Sequence, residues 1–109
     1  VSWWHGGPRI RGDEILPSTL TGFDRSGSDL RYACITSERD LALTYACTCN
    51  GWLYEVEPIG PVTQDPESML EPGVSMVCGR ARILRRFKPS RYEVDRRSAV
   101  VSEIARILR

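Results

Sequence analysis

Apolar positions recur along the 109-residue chain at two periods, every second residue in several short stretches and three to four residues apart in two others, which predicts an α+β domain. Ser2 to His5 reads as a first strand, and Gly6-Gly7-Pro8 as the turn that ends it. Residues 8–29 are polar apart from Ile15-Leu16, so a long surface loop is expected there. Leu30 to Ile35 is the next strand candidate. Ser37-Glu38-Arg39-Asp40 has capping-box spacing, with Asp where Glu or Gln is more usual. Leu41, Ala42, Tyr45 and Ala46 then form an apolar stripe that predicts a short amphipathic helix ending near Asn50-Gly51.

Trp52 to Glu57 alternates as a strand with Trp52, Tyr54 and Val56 on one face, and Pro58 is expected to stop it. Residues 58–73 hold four prolines and two glycines and read as a second loop. Val74 to Cys78 and Ala81 to Phe87 are two further strands around Gly79. Beyond Pro89, Val100, Ile104, Ile107 and Leu108 lie at helical spacing, so residues 90–109 predict a C-terminal amphipathic helix packed on the sheet. Neither a repeat nor a linker interrupts the chain, and its length suits a single domain over 1–109.

Composition narrows the class. Apolar residues make up 41% and charged residues 27%, the balance of a globular domain, and no apolar run reaches membrane-spanning length. The opening residues lack the basic start and apolar core of a signal peptide, so a cytoplasmic protein is expected. The start at Val1 in place of Met hints at trimming, so an upstream segment is expected. Charge is uneven: residues 1–79 carry five arginines against eleven acids, and residues 80–109 carry ten basic groups against three acids. That C-terminal face either meets phosphates, nucleic acid or an acidic partner, or is a solvated set of arginines alternating with acids. The four cysteines, Cys34, Cys47, Cys49 and Cys78, are expected to be mostly buried free thiols. Cys47-Thr48-Cys49 has too short a gap for the usual structural zinc spacing, so no metal is expected.

Candidate chemistry begins at His5-Gly6-Gly7. The chain's single histidine stands beside two glycines, where backbone can approach a ligand and an imidazole nitrogen can reach a sugar hydroxyl. Asp65 offers a carboxylate from a loop punctuated by prolines. Each has a plainer reading: His5 as a satisfied strand-end histidine, Asp65 as a turn residue before Pro66, and Tyr45 as helix packing.

The joint order of these features resembles a known family. His5-Gly6, then Cys34-Ile35-Thr36-Ser37 running into Leu41-Ala42-Leu43-Thr44-Tyr45-Ala46, then Tyr54-Glu55-Val56-Glu57-Pro58-Ile59-Gly60-Pro61 with Gln64-Asp65-Pro66, is similar to the rifamycin ADP-ribosyltransferases and their small relatives. These belong to the diphtheria-toxin-like side of the ADP-ribosyltransferases, with a His–Tyr–acid triad. The resemblance covers roughly residues 3–87 and is most specific from Val56 to Pro66. It implies a small split β-sheet or barrel with one short helix after the second motif, and NAD as co-substrate.

By the same resemblance His5 hydrogen-bonds the adenosine ribose of NAD, the Gly6 backbone holds the nicotinamide amide, and Asp65 is the catalytic carboxylate. The family's middle tyrosine slot holds Cys34, with Tyr32 one pleat earlier on the same face. Tyr45 matches a second aromatic against nicotinamide. Tyr32, Cys34, Thr36 and Tyr45 thus join His5 and Gly6 as the cofactor-binding set, and His5, Tyr45 and Asp65 form the catalytic one. Arg80 and Arg82 either meet the NAD pyrophosphate or are surface arginines.

These residue types suit the chemistry. Cleavage between nicotinamide and ribose develops positive charge on the sugar, and a carboxylate such as Asp65 stabilises that state more than the ground state. A tyrosine ring stacks on nicotinamide in an offset geometry. The expected activity is transfer of ADP-ribose to an acceptor, in the family a rifamycin antibiotic, with a protein, nucleic acid or other small molecule as alternatives. The NAD cleft is expected between the sheet and the loops at 6–29 and 58–73. Two rival readings remain: an NAD- or ADP-ribose-binding module without transferase activity, which Cys34 in the tyrosine slot favours, and a nucleic-acid binder using Arg80 to Arg97.

Overall fold

The computed structural model describes residues 1–17, 32–65, 73–97 and 99. Seven strands form one antiparallel sheet: β1 (Trp3–Gly7), β2 (Glu14–Ile15), β3 (Ala33–Thr36), β4 (Trp52–Ile59), β5 (Thr63–Gln64), β6 (Ser75–Cys78) and β7 (Arg80–Phe87), in the order β2-β7-β4-β1-β3-β6-β5. Helix α1 (Arg39–Thr48) joins β3 to β4. A second helix, α2, runs over 91–97, with the Ser90 hydroxyl accepting from the Glu93 N–H at 3.1 Å. The architecture is α+β, as the two periodicities predict.

The connection from β6 to β7 dictates the shape. In a flat sheet these strands lie four spacings apart, about 19 Å. Gly79 alone separates Cys78 from Arg80, a reach of about 7 Å. The sheet therefore curls until residues 75–87 pair with β3 and β5 through their first half and with β4 and β2 through their second. Inside the curl Ile15, Ala33, Ile35, Tyr54, Val56, Cys78 and Ala81 form one core cluster, although β2 and β6 stand near opposite ends of the strand order.

The other core lies between the sheet and α1. Ala42, Leu43, Ala46 and Cys47 pack on Leu53, with Trp4, Phe87 and Val94 around them. Full burial of a side chain such as Leu53 stabilises by about 1.5–3 kcal/mol. The buried face is rotated from the expected stripe: Leu43 and Cys47 are inside, while Tyr45 is 48% exposed and Leu41 only partly covered. Leu53 and Trp4 on the sheet select Leu43 and Cys47, an i,i+4 pair, and turn Tyr45 outward. The Ser37–Asp40 capping box does not form, because the Glu38 N–H takes the Thr36 hydroxyl at 3.0 Å and Glu38 itself is the N-cap. At the other end the expectation holds: Asn50 is left-handed at φ 52 and the Gly51 N–H bonds the Ala46 carbonyl at 2.7 Å.

Four boundaries differ from the sequence pattern. β1 continues through Gly6 and Gly7, which pair with Leu53 and Trp52, instead of turning there. Glu14–Ile15, inside the expected 8–29 loop, pairs with Arg82 and Ala81, and Thr63–Gln64, inside the 58–73 loop, pairs with Val77 and Met76. β4 passes through Pro58 to Ile59. β1 begins its pairing opposite Val56, so β4 has a bare edge beyond that point, where a missing N–H removes no ladder bond. Leu30 and most of the predicted C-terminal helix, including Val100, Ile104, Ile107 and Leu108, lie outside the described residues.

Candidate functional site

Strands β1 and β3 meet at a single pair, Trp4 with Thr36, and then part. Beyond that pair a cavity of about 400 Å³ opens, lined by Gly6 and Gly7 of β1, Tyr32 just before β3 with Ala33 and Cys34 of it, Tyr45 and Thr48 of α1 with Cys49 after it, and the 8–16 segment. The imidazole of His5 lines it as well. Its Nδ1 lies 2.7 Å from the Cys34 carbonyl oxygen, a bond that takes the place of a strand-to-strand one. With Nδ1–H donating to that carbonyl, Nε2 of neutral His5 is the acceptor. Gly7 makes room for the ring: a Cβ there would stand 3.1 Å from Nε2.

Gly6 serves a different contact. A Cβ on it would come within 1.8 Å of the Ala42 carbonyl oxygen, so the glycine lets α1 lie directly on β1. That close packing carries Tyr45 and Thr48 to the cavity rim. The opposite wall is fixed by the wholly buried Tyr54, whose hydroxyl accepts from the Ile10 N–H at 2.8 Å and donates to the Pro8 carbonyl at 3.1 Å. Burial pushes the Tyr54 phenol up from its ordinary range. Arg86 donates to the carbonyls of Ile10 and Gly12 and pins the same segment.

Of the residues expected at the site, His5, Gly6, Tyr32, Cys34 and Tyr45 share this one cavity. Thr36 is buried in the sheet and its hydroxyl receives the Glu38 N–H. Asp65 does not line the cavity. It follows β5 at the far edge of the sheet, where its N–H bonds the Ser75 carbonyl at 3.1 Å and its carboxylate accepts from the Ser75 hydroxyl at 3.1 Å. The register continues the row Trp4–Thr36–Ser75 to Asp65, about 14 Å from β1 at three strand spacings. The 8–16 segment forms one wall of the cavity, the described residues 58–65 form none, and Pro66 and Glu67 lie outside the described residues.

Three cavity residues had no signal in the sequence. Glu14 supplies a carboxylate, 3.3 Å from Arg80, because β2 brings it beside β7. Thr48 and Cys49 come with the last turn of α1. Arg9 lines the cavity from the 8–16 segment, and its neighbourhood to Pro8 was the only hint of a fixed position.

The basic C-terminal half is laced to acids. Arg80 faces Glu14, Arg82 faces Glu57 at 3.1 Å, Arg85 faces Glu55 at 2.6 Å, and Arg97 spans Glu93 and Asp40. The Arg85 guanidinium holds the Glu55 carboxyl below the usual range, and Arg97 does the same to Glu93. Neither Arg80 nor Arg82 lines the cavity. All four cysteines are free thiols, with Cys47 and Cys78 buried, Cys34 partly buried and Cys49 exposed. Burial pushes the Cys78 thiol up to about 11. Among the described residues no three metal-ligating side chains cluster, and no helix is long and apolar enough to cross a membrane. Set against known family models, curated proteins and solved structures, the chain matches none.

Proposed function

We propose that the cavity binds NAD and that the protein transfers ADP-ribose from it to an acceptor, in the manner of the small ADP-ribosyltransferases that its sequence resembles. The supporting observation is convergence: His5 from β1, Tyr32 just before β3, Cys34 from β3 and Tyr45 from α1 line one cavity of about 400 Å³, in the size range of small-molecule sites. In this reading His5 Nε2 accepts a ribose hydroxyl, and Tyr45 or Tyr32 stacks on nicotinamide. Arg9 offers its guanidinium to the pyrophosphate.

The reaction breaks the bond between nicotinamide nitrogen and ribose C1′, and the electron pair leaves with nicotinamide. An acceptor lone pair forms the new bond at C1′, and a hydroxyl acceptor loses its proton to solvent. A carboxylate facing the developing positive charge lowers the barrier. Resemblance assigns that part to Asp65, whereas the carboxylate that lines the cavity is Glu14.

A second reading, an NAD- or ADP-ribose-binding module without transfer, draws support from the bond of Asp65 to Ser75 at the sheet edge and from Cys34 in the tyrosine slot. Incubation with labelled NAD, with and without a rifamycin, decides between them. Mass gained by the antibiotic or by a protein acceptor supports transfer, binding without turnover supports the module, no NAD binding sinks transfer, and no binding of NAD or ADP-ribose sinks both.

A further inference from the structure

A second cavity, of about 540 Å³, adjoins the first across a rim made by Arg9 and Ile10 and is lined also by Arg11, Trp52, Tyr54 and Arg86. Its charge is one-sided. Arg80, Arg82, Arg85, Arg86, Arg91, Arg96 and Arg97 each have a carboxylate within 4 Å, but Arg9 and Arg11 have no ion-pair partner among the described residues. Arg86 adds a third guanidinium, fixed by the carbonyls of Ile10 and Gly12, and the one acid beside it, Asp13, stands 3.8 Å away with its side chain in solvent. The indole of Trp52 is half-buried against the core, and the Lys88 ammonium lies 5.9 Å from its ring centroid on an anchor of Asn50 and Gly51 carbonyls. Two guanidiniums without carboxylates, Arg9 and Arg11, with Arg86 beside them and an aromatic face in the same cavity, fit a ligand that carries both a phosphate and a flat ring.

We propose that this second cavity is the acceptor subsite and takes a nucleotide unit, with its phosphate on Arg11 beside Arg9 and its base against Trp52. The acceptor role rests on the transferase reading above; the nucleotide site itself does not. The shared rim at Arg9 and Ile10 would bring a hydroxyl or phosphate oxygen of the bound nucleotide toward C1′ of NAD in the first cavity. Formation of the C1′–O bond accompanies loss of nicotinamide with its electron pair, and a hydroxyl nucleophile releases one proton to water. Arg86 is the one residue this site shares with the C-terminal arginine face, where carboxylates already answer the charge.

The test titrates the full chain with uridine 5′-monophosphate and with a 5′-phosphorylated oligouridylate of about six nucleotides, following tryptophan fluorescence and heat at several salt concentrations. Both ligands are expected to bind and to quench fluorescence. Arg11→Gln should weaken binding about tenfold or more and shallow the salt slope by about one, while Arg11→Lys keeps most of the affinity. Equal affinity for the two ligands assigns the site to a free nucleotide, and tighter binding of the oligomer assigns it to a single-strand end. Absence of binding by both ligands, unchanged binding in Arg11→Gln, or displacement of the nucleotide by NAD overturns the proposal. NAD titrated alone reads the first cavity. If NAD binds and the nucleotides do not, the second site falls and the transferase reading stands; if the nucleotides bind and NAD does not, the acceptor role falls with that reading.

Discussion

Nδ1 of His5 is bonded to the backbone oxygen of Cys34 at 2.7 Å, across the gap where β1 and β3 separate. The bond holds the ring, with the Nδ1 proton on the Cys34 carbonyl and Nε2 over Gly7. His5→Ala is therefore expected to weaken NAD binding by about 1–2 kcal/mol, the worth of one such hydrogen bond. Calorimetric titration checks it, and an unchanged dissociation constant would remove His5 from the site.

The two cavity tyrosines come from different elements. Tyr45 projects from α1 with 48% of its surface exposed, and Tyr32 precedes β3 with 37% exposed. Tyr45→Ala is expected to impair nicotinamide recognition more than Tyr32→Ala, read as the loss of affinity for NAD relative to ADP-ribose. A larger effect at Tyr32 would give it the stacking role in place of Cys34.

Two carboxylates compete for the catalytic part. If Asp65 acts on the ribose cation, Asp65→Asn should keep NAD affinity and lower turnover by a factor on the order of a hundred or more. Folding should survive, since Asp65 stands at the sheet edge, outside both core clusters, and Asn keeps an oxygen to accept from the Ser75 hydroxyl. Retained turnover in Asp65→Asn with loss in Glu14→Gln would move the role to the cavity-lining Glu14. Side-by-side measurement of NAD hydrolysis in the two variants gives the answer.

Gly6→Ala should damage the fold more than the ligand contacts. The added methyl would sit 1.8 Å from the Ala42 carbonyl, a backbone atom that moves only if α1 lifts from β1. The expected loss is about 3 kcal/mol or more, visible as a lower denaturation midpoint. Gly12→Ala, which meets nothing within 4 Å, is the control.

Alkaline pH should destabilise the protein through Cys78. Its thiol is pushed from 9.0 up to about 11 by burial, so the folded state keeps a proton that the unfolded chain releases. The stabilisation is whole below pH 9 and is lost as pH rises toward 11, a fall of about 2–3 kcal/mol. Burial raises Cys47 and Tyr54 too, and they contribute with the same sign. Denaturant midpoints at pH 8.5 and 11 should differ less in Cys78→Ala than in the parent chain.

The α+β class, the presence of α1, the five longer strands and the end of α1 at Asn50-Gly51 were legible in the sequence, because periodicity and left-handed caps are local properties. So was the grouping of His5, Tyr32, Cys34 and Tyr45, though through resemblance, since no local rule joins residues forty positions apart. Short β2 and β5 were not legible: two residues carry no period, and each exists only because β7 or β6 lies beside it. The same non-local pairing extends β1 through Gly6 and β4 through Pro58.

Sequence by itself determined which segments can be extended or helical and which side chains are available as cations, thiols and rings. Tertiary structure alone decided their use. The single residue between β6 and β7 forces the sheet to curl, the bare face of Leu53 and Trp4 rotates α1 so that Tyr45 turns outward, and strand order sets Asp65 at the edge with Ser75 while Glu14 reaches the cavity. Each outcome depends on contacts between residues far apart in the chain, whose free energy arises only once the sheet has closed.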